Sequence, residues 1–155
     1  MDAETLYDRD FYLWIGTTIN QLQVKQFQSV DLPNLIEELE SMGGQEKRSM
    51  RNLLTRLLEN LLKLGYWTAE RERNENHWKG EILTFRRDIA DEIEDSPGLK
   101  PYILEIFPDG YERSREEVSV RDRLPIETFP VTPIGSLEQV LDTKWFPAIE
   151  SEEER

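Results

Sequence analysis

Cysteine is absent from the 155 residues. That removes disulfides, thiolate nucleophiles and cysteine-ligated zinc from the chemistry open to the chain. Histidine is nearly absent as well, since His77 stands alone. A histidine-rich zinc site is therefore excluded. A carboxylate-bridged di-iron centre, which asks for two Glu-x-x-His motifs, is disfavoured because the residue three before His77 is Asn74. No apolar run approaches the roughly 18 residues that suggest a membrane span. The opening residues, MDAETLYDRD, show neither the basic nor the apolar segment of a secretory signal. A cytoplasmic protein that does not engage membrane is the expectation. Basic charge is also scarce: 19 Lys and Arg face 32 Asp and Glu, a net charge of −13. Such a balance opposes nonspecific binding to nucleic acid or anionic lipid and favours basic partners or cations. Arg113, Arg115, Arg121 and Arg123 form a modest cluster, but Glu112, Glu116, Glu117 and Asp122 interleave with it, so nucleic acid is not an expected partner. Phosphate-loop, dinucleotide and nucleophile-elbow motifs are missing too.

What is present is helical periodicity. Phe11, Ile15, Ile19 and Leu22 recur at spacings of four, four and three, with Trp14 beside them and Asp8 or Asp10 placed as an N-cap. Residues 31–67 read as two helices joined at Gly43-Gly44. The first has Asp31 as cap, Pro33 in its first turn and an apolar stripe of Leu32, Leu35, Ile36, Leu39 and Met42. The second is apolar over more than half its circumference from Met50 to Leu64 and is expected at the centre of the core, with Glu46 capping its start. Trp78, Ile82, Phe85, Ile89 and Ile93 mark a further helix, capped by Asn74 or Asn76 after a polar connection and stopped at Ser96-Pro97-Gly98. From Leu99 to about Arg121 the helical phase persists, with Pro108 predicting a kink or a break. The segment LPIETFPVTP is expected to be extended against the bundle. A short helix starts at Thr132-Pro133 and runs through Leu141, Trp145 and Phe146 anchor the end, and residues 150–155 form a charged tail. The reading is a single all-α domain over residues 1–149, a compact bundle of five to six helices with a proline-rich C-terminal segment.

Carboxylates are the abundant candidates for chemistry. Asp8, Asp10, Glu38 and Glu40 could ligate a divalent ion such as Mg²⁺ or Mn²⁺, because hard cations take oxygen ligands. Glu38, Glu40, His77 and Arg86 are the candidate catalytic groups. Helical geometry sets Glu37 nearly opposite the apolar stripe and puts Glu38 and Glu40 on opposite margins. A site would therefore need side chains from other helices. His77 is expected at the start of its helix, on the surface or as a cap. A buried Arg86 would need a carboxylate, with Glu38 or Glu40 as partners.

The ordered signals Tyr7-Asp8-Arg9-Asp10-Phe11-Tyr12-Leu13-Trp14, then Asp31-Leu32-Pro33-Asn34-Leu35-Ile36-Glu37-Glu38-Leu39-Glu40, then Leu61-Leu62-Lys63, resemble a bacterial family catalogued as domain of unknown function 29. Trp78 with Ile82 and Arg86, Ser96-Pro97-Gly98-Leu99, Tyr111 and the Pro130/Pro133 segment agree, over about residues 7–147. The resemblance implies a small all-α fold and carries over no catalytic residue. Where the family often has histidine before Leu-Leu-Lys, this chain has Asn60, which weakens a histidine-based enzyme reading. The expectation is a non-enzymatic interaction or regulatory module that binds a protein partner or self-associates and uses no cofactor. The alternative is a divalent-metal-dependent hydrolase or nuclease.

Overall fold

The computed structural model describes residues 4–149; the tail expected at residues 150–155 lies outside them. Among the described residues there are six α-helices and no strand: α1 (Leu6–Arg9), α2 (Phe11–Gln23), α3 (Leu32–Tyr66), α4 (Thr68–Asp95), α5 (Leu99–Asp122) and α6 (Leu137–Leu141). The all-α class read from periodicity is what the chain adopts. It forms two compact units, Met1–Glu46 and Lys47–Arg155.

In the first unit, Thr5 caps α1 and Asp10 caps α2, each side chain accepting a hydrogen bond from a backbone N–H three residues on. Of the two acids expected as caps, Asp10 is the one at the start of α2. The helix ends in a Schellman arrangement around Lys25, which takes φ of 61°. Lys25 N–H donates to the Leu22 carbonyl and Gln26 N–H to the Gln21 carbonyl. Trp14 and Thr18 form the buried side of α2. Tyr7 meets Trp14 edge-on at 4.9 Å, and Phe11 stacks on the same ring at 5.8 Å. The Tyr7 hydroxyl donates to Glu38, so α1 lies alongside the first turns of α3.

The break expected at Gly43-Gly44 does not occur. The helix α3 runs through both glycines as one 35-residue element. No glycine with positive φ is found among the described residues. Glycine permits a left-handed stop without imposing one. Here no proline comes after it to enforce one, and the flanking residues are good helix formers. Glu46 is consequently an exposed mid-helix residue, not a cap.

In the second unit the C-terminal half of α3 is the hub, as expected. Met50, Leu54, Leu57, Leu58, Leu61, Leu62 and Leu64 are fully buried, and they share one cluster with Ile82, Ile89, Ile103, Val118 and Phe129. Each such leucine contributes about 1.5–3 kcal/mol by burial. The carbonyls left unpaired at the end of α3 are met by Arg71, whose Nε and Nη2 donate to Leu64 and Gly65 at 2.8 Å each. The helix α4 begins at Thr68, not near Asn74, because the residues read as a connection (TAERERNEN) continue the helix. Arg73 pairs with Glu70, and Asn74 donates to the Glu70 carbonyl. Ser96 ends it where expected.

Pro108 does not divide α5. Pro108 and Leu104 are both exposed, so the carbonyl released at Leu104 lies on the hydrated side. Two residues on, Gly110 lets α5 approach α3 closely; a Cβ there would sit 3.4 Å from Leu54 Cδ2. The segment after α5 runs as an irregular strap with Phe129 fully buried. The short helix starts at Leu137, later than Thr132-Pro133, because Ser136 and Gln139 form a reciprocal capping box.

Candidate functional site

Each carboxylate of the proposed N-terminal cluster other than Glu40 has a local role. Asp8 accepts from the Thr5 hydroxyl, and Asp10 accepts from Leu13 N–H at 3.0 Å. Glu38 accepts from Tyr7. That hydrogen bond, with some burial and the negative charges of Glu38, Glu37 and Asp8, pushes the Tyr7 phenol up to about 12. Glu40 is exposed. Among the described residues no three Asp, Glu or His side chains are grouped to hold a metal ion. His77 is exposed in the third turn of α4 rather than at its start, so the expected capping role does not apply.

Sequence reasoning missed a charge network around Glu59. This residue is 1% exposed within the leucine-rich run. Arg56 Nη1 lies 3.2 Å from both its oxygens. Arg121 reaches the same carboxylate in a two-point contact at 3.2 and 3.1 Å. Glu117 approaches Arg56 at 3.5 Å and Arg121 at 3.7 Å, which sets it beside the Glu59 carboxylate that the same two arginines hold. Burial alone would raise the Glu59 carboxyl, but the bonds from Glu117 and Arg121 and the two arginine charges bring it below its ordinary value. Glu117 moves the other way, raised first by its hydrogen bond to Glu59 and then by partial burial and the Glu59 charge. Two carboxyls with opposed shifts form an acid–base pair in principle, yet both are engaged by arginine, and the adjoining surface depression is lined only by Glu116, Glu117, Val120 and Arg121. The arrangement is that of a satisfied ion network. A signal did exist in the sequence: Glu59 falls only about 60° beyond Leu62 on a helix that is apolar on several sides, with Arg56 three residues before it.

Two buried arginines hold the C-terminal strap. Arg115 donates to the carbonyls of Ile126 and Phe129 and pairs with Glu112, while Tyr111 donates to the Pro130 carbonyl at 2.6 Å. Arg86, 2% exposed, donates through Nε to the Val140 carbonyl at 2.8 Å and through Nη2 to the Trp145 carbonyl at 2.7 Å. The carboxylate partner expected for Arg86 is thus replaced by two backbone carbonyls. Burial, opposed only in part by Asp142, lowers its affinity for a proton. The face of the Phe146 ring lies 5.4 Å from the guanidinium. Of the arginines considered as a basic cluster, Arg115 and Arg121 are committed to these internal contacts.

The N-terminal stripes differ from expectation in the opposite sense. Phe11, Ile15, Ile19 and Leu22 of α2 are 36–50% exposed, and Leu32, Ile36, Leu39 and Met42 of α3 are 51–61% exposed. The stripe predicted to be the buried face of residues 32–42 is largely open, with only Leu35 half-buried. Glu37, Glu40 and Glu46 are exposed along the same stretch of α3. No helix among the described residues is long and apolar enough to cross a membrane.

A family model described as domain of unknown function DUF29 matches residues 6–146, in agreement with the resemblance over about residues 7–147. No match was found among curated proteins or solved structures.

Proposed function

The chain belongs to the DUF29 family, and we propose that it is a non-enzymatic protein-interaction module whose docking face lies on α2 and the first three turns of α3. One observation carries this reading: the eight apolar side chains of the two stripes, Phe11, Ile15, Ile19 and Leu22 on α2 and Leu32, Ile36, Leu39 and Met42 on α3, are each 36–61% exposed. Isolated exposed apolar residues are ordinary, but stripes at helical spacing on two elements resemble the grooves that receive an amphipathic helix.

Charge selects the partner. Residues 1–46 hold nine carboxylates against Arg9 and Lys25. Pairing this unit with a second copy would set like charge against like, whereas a basic amphipathic helix meets both the apolar stripes and their acidic surroundings. A 20-residue leucine–lysine amphipathic helix is a direct probe, titrated calorimetrically into the full chain. The expected result is saturable binding that weakens with salt and drops at least tenfold when Ile19→Asp and Ile36→Asp are combined. Absence of binding, or binding indifferent to the two substitutions, would remove the proposal. A dimer in sedimentation that these substitutions dissolve would assign the face to a second copy and overturn the basic-partner assignment.

A further inference from the structure

Among the described residues of the second unit, Arg86 is a buried charge held without an ion pair. Its guanidinium is buried, and no carboxylate neutralises it by direct contact among the described residues. Nε and Nη2 are held by backbone carbonyls, but Nη1 is buried with no hydrogen-bond partner. Breaking or omitting one half of a buried ionic contact is costly, because the remaining charge and its N–H donors have given up water without replacement. The structural role of Arg86, tying α4 to the strap, uses two of its three nitrogens and leaves the third unexplained.

Arg86 also lines a cleft of about 320 Å³, with Ile89, Ala90, Ile93, Glu94 and Leu141. Ile93 and Leu141 form a common wall with a second cleft of about 620 Å³, lined further by Ile103, Leu104 and Leu137. Lys100 lies on the second cleft, so Arg86 is the buried cationic group of the hollow and Lys100 a further one on its lining. A largely apolar hollow of this size with a few charged groups at fixed places is the usual build of a small-molecule site. We propose that these clefts bind an amphiphilic monocarboxylate, its head group accepting from Arg86 Nη1 and its apolar tail lying along Ile89, Ile93 and Leu141. The guanidinium carbon lies over the Phe146 ring, 5.4 Å from its centroid, a contact that favours the charge without taking up the Nη1 donors. Glu94 on the first cleft and Glu138 and Asp142 on the second outnumber the cations Arg86 and Lys100, which disfavours a doubly charged head group and selects a carboxylate over a phosphate monoester. Nη1 is shielded from solvent, so entry of the head group includes movement of a side chain in the cleft wall.

Decanoate and its neutral counterpart decanamide test this on the full chain, by thermal melting and titration calorimetry. Decanoate is expected to raise the melting temperature and decanamide to leave it unchanged. Ala90→Trp fills the first cleft and leaves Arg86 and its carbonyl contacts in place; it is expected to abolish the decanoate effect while the variant still melts cooperatively. Arg86→Lys keeps the charge but loses the planar fork, and should weaken binding at least tenfold. Should Arg86→Lys fail to fold, the Ala90→Trp comparison alone decides. Equal stabilisation by both compounds, no stabilisation by decanoate, or an undiminished effect in Ala90→Trp would each overturn the assignment.

Discussion

Arg121 reaches Glu59 with both terminal nitrogens, Nη1 at 3.2 Å from one carboxylate oxygen and Nη2 at 3.1 Å from the other. One partner is a buried residue of α3, while the other, on α5, has a side chain that is 47% exposed. The two ends of the pair therefore respond differently to removal. Arg121→Ala strips a buried carboxylate of half its compensation and leaves Arg56, so destabilisation of about 1–2 kcal/mol is expected, below the roughly 3–5 kcal/mol typical of a fully buried pair. Glu59→Leu leaves both arginines able to turn to water and is expected to change stability by less than about 1 kcal/mol. Urea midpoints for the two variants give the comparison. Equal losses would show that the ion pair matters by its mere presence and not through the burial of one end.

The opposed shifts of Glu59 and Glu117 give the same network a pH signature. Glu59 is held below its ordinary value of 4.5, so the stability it contributes is present above that value and is lost as pH falls through the depressed one. Glu117 is held above 4.5, so its contribution is present at low pH and is lost as pH rises through the raised value. Glu117→Gln, which fixes the uncharged form, is therefore expected to be more stable than the parent at pH 7. The two should converge as pH falls below 4.5. Urea denaturation at about pH 7 and about pH 4 measures the difference; a Glu117→Gln variant less stable at neutral pH would mean that the contacts of Glu117 with Arg56 and Arg121 outweigh its repulsion from Glu59.

The strap offers a steric test. A Cβ on Gly135 would lie 2.8 Å from the edge of the Trp145 ring, closer than the two can stand. The carbonyl of Trp145 also accepts from Arg86, so displacing the indole strains a contact of a buried guanidinium. Gly135→Ala is expected to destabilise by about 1–3 kcal/mol, the usual range for overpacking. Thermal melting followed by circular dichroism reports the loss, and an unshifted melt would show that the strap relaxes freely at Trp145.

Periodicity made the helical class legible because the apolar spacing of α2, α4 and α5 survives unchanged in the folded chain. It also identified the run from Met50 to Leu64 as the hub, since a helix so widely apolar has to be enclosed. Where the sequence misled, permissive residues were read as compulsory. Gly43-Gly44 and Pro108 can each interrupt a helix, and neither does, because a stop depends on the residues beyond the glycines and on the side to which the released carbonyl faces. The same limit applies to burial. The stripe of Leu32, Ile36, Leu39 and Met42 has the pattern of a core face, but periodicity states only that one face is apolar, not that anything in the chain covers it. Glu59 escaped notice for the converse reason: its burial depends on α5 bringing Arg121 across 62 residues, a separation no local pattern records.

The continuity of α3 yields the most direct contrast between the two readings of residues 31–67. Gly43 lies inside a regular helix, lacks positive φ, and a Cβ built on it meets nothing within 4 Å. Under those conditions alanine restricts the unfolded chain and improves helix propensity without any steric cost, so Gly43→Ala is expected to stabilise by about 0.5–1 kcal/mol. A left-handed stop at the same position would reverse the sign, since alanine at positive φ costs about 1–2 kcal/mol. The change in urea midpoint and the far-ultraviolet helical signal should both rise in the variant; a fall in either would mean that the chain turns at Gly43 and that α3 is two helices.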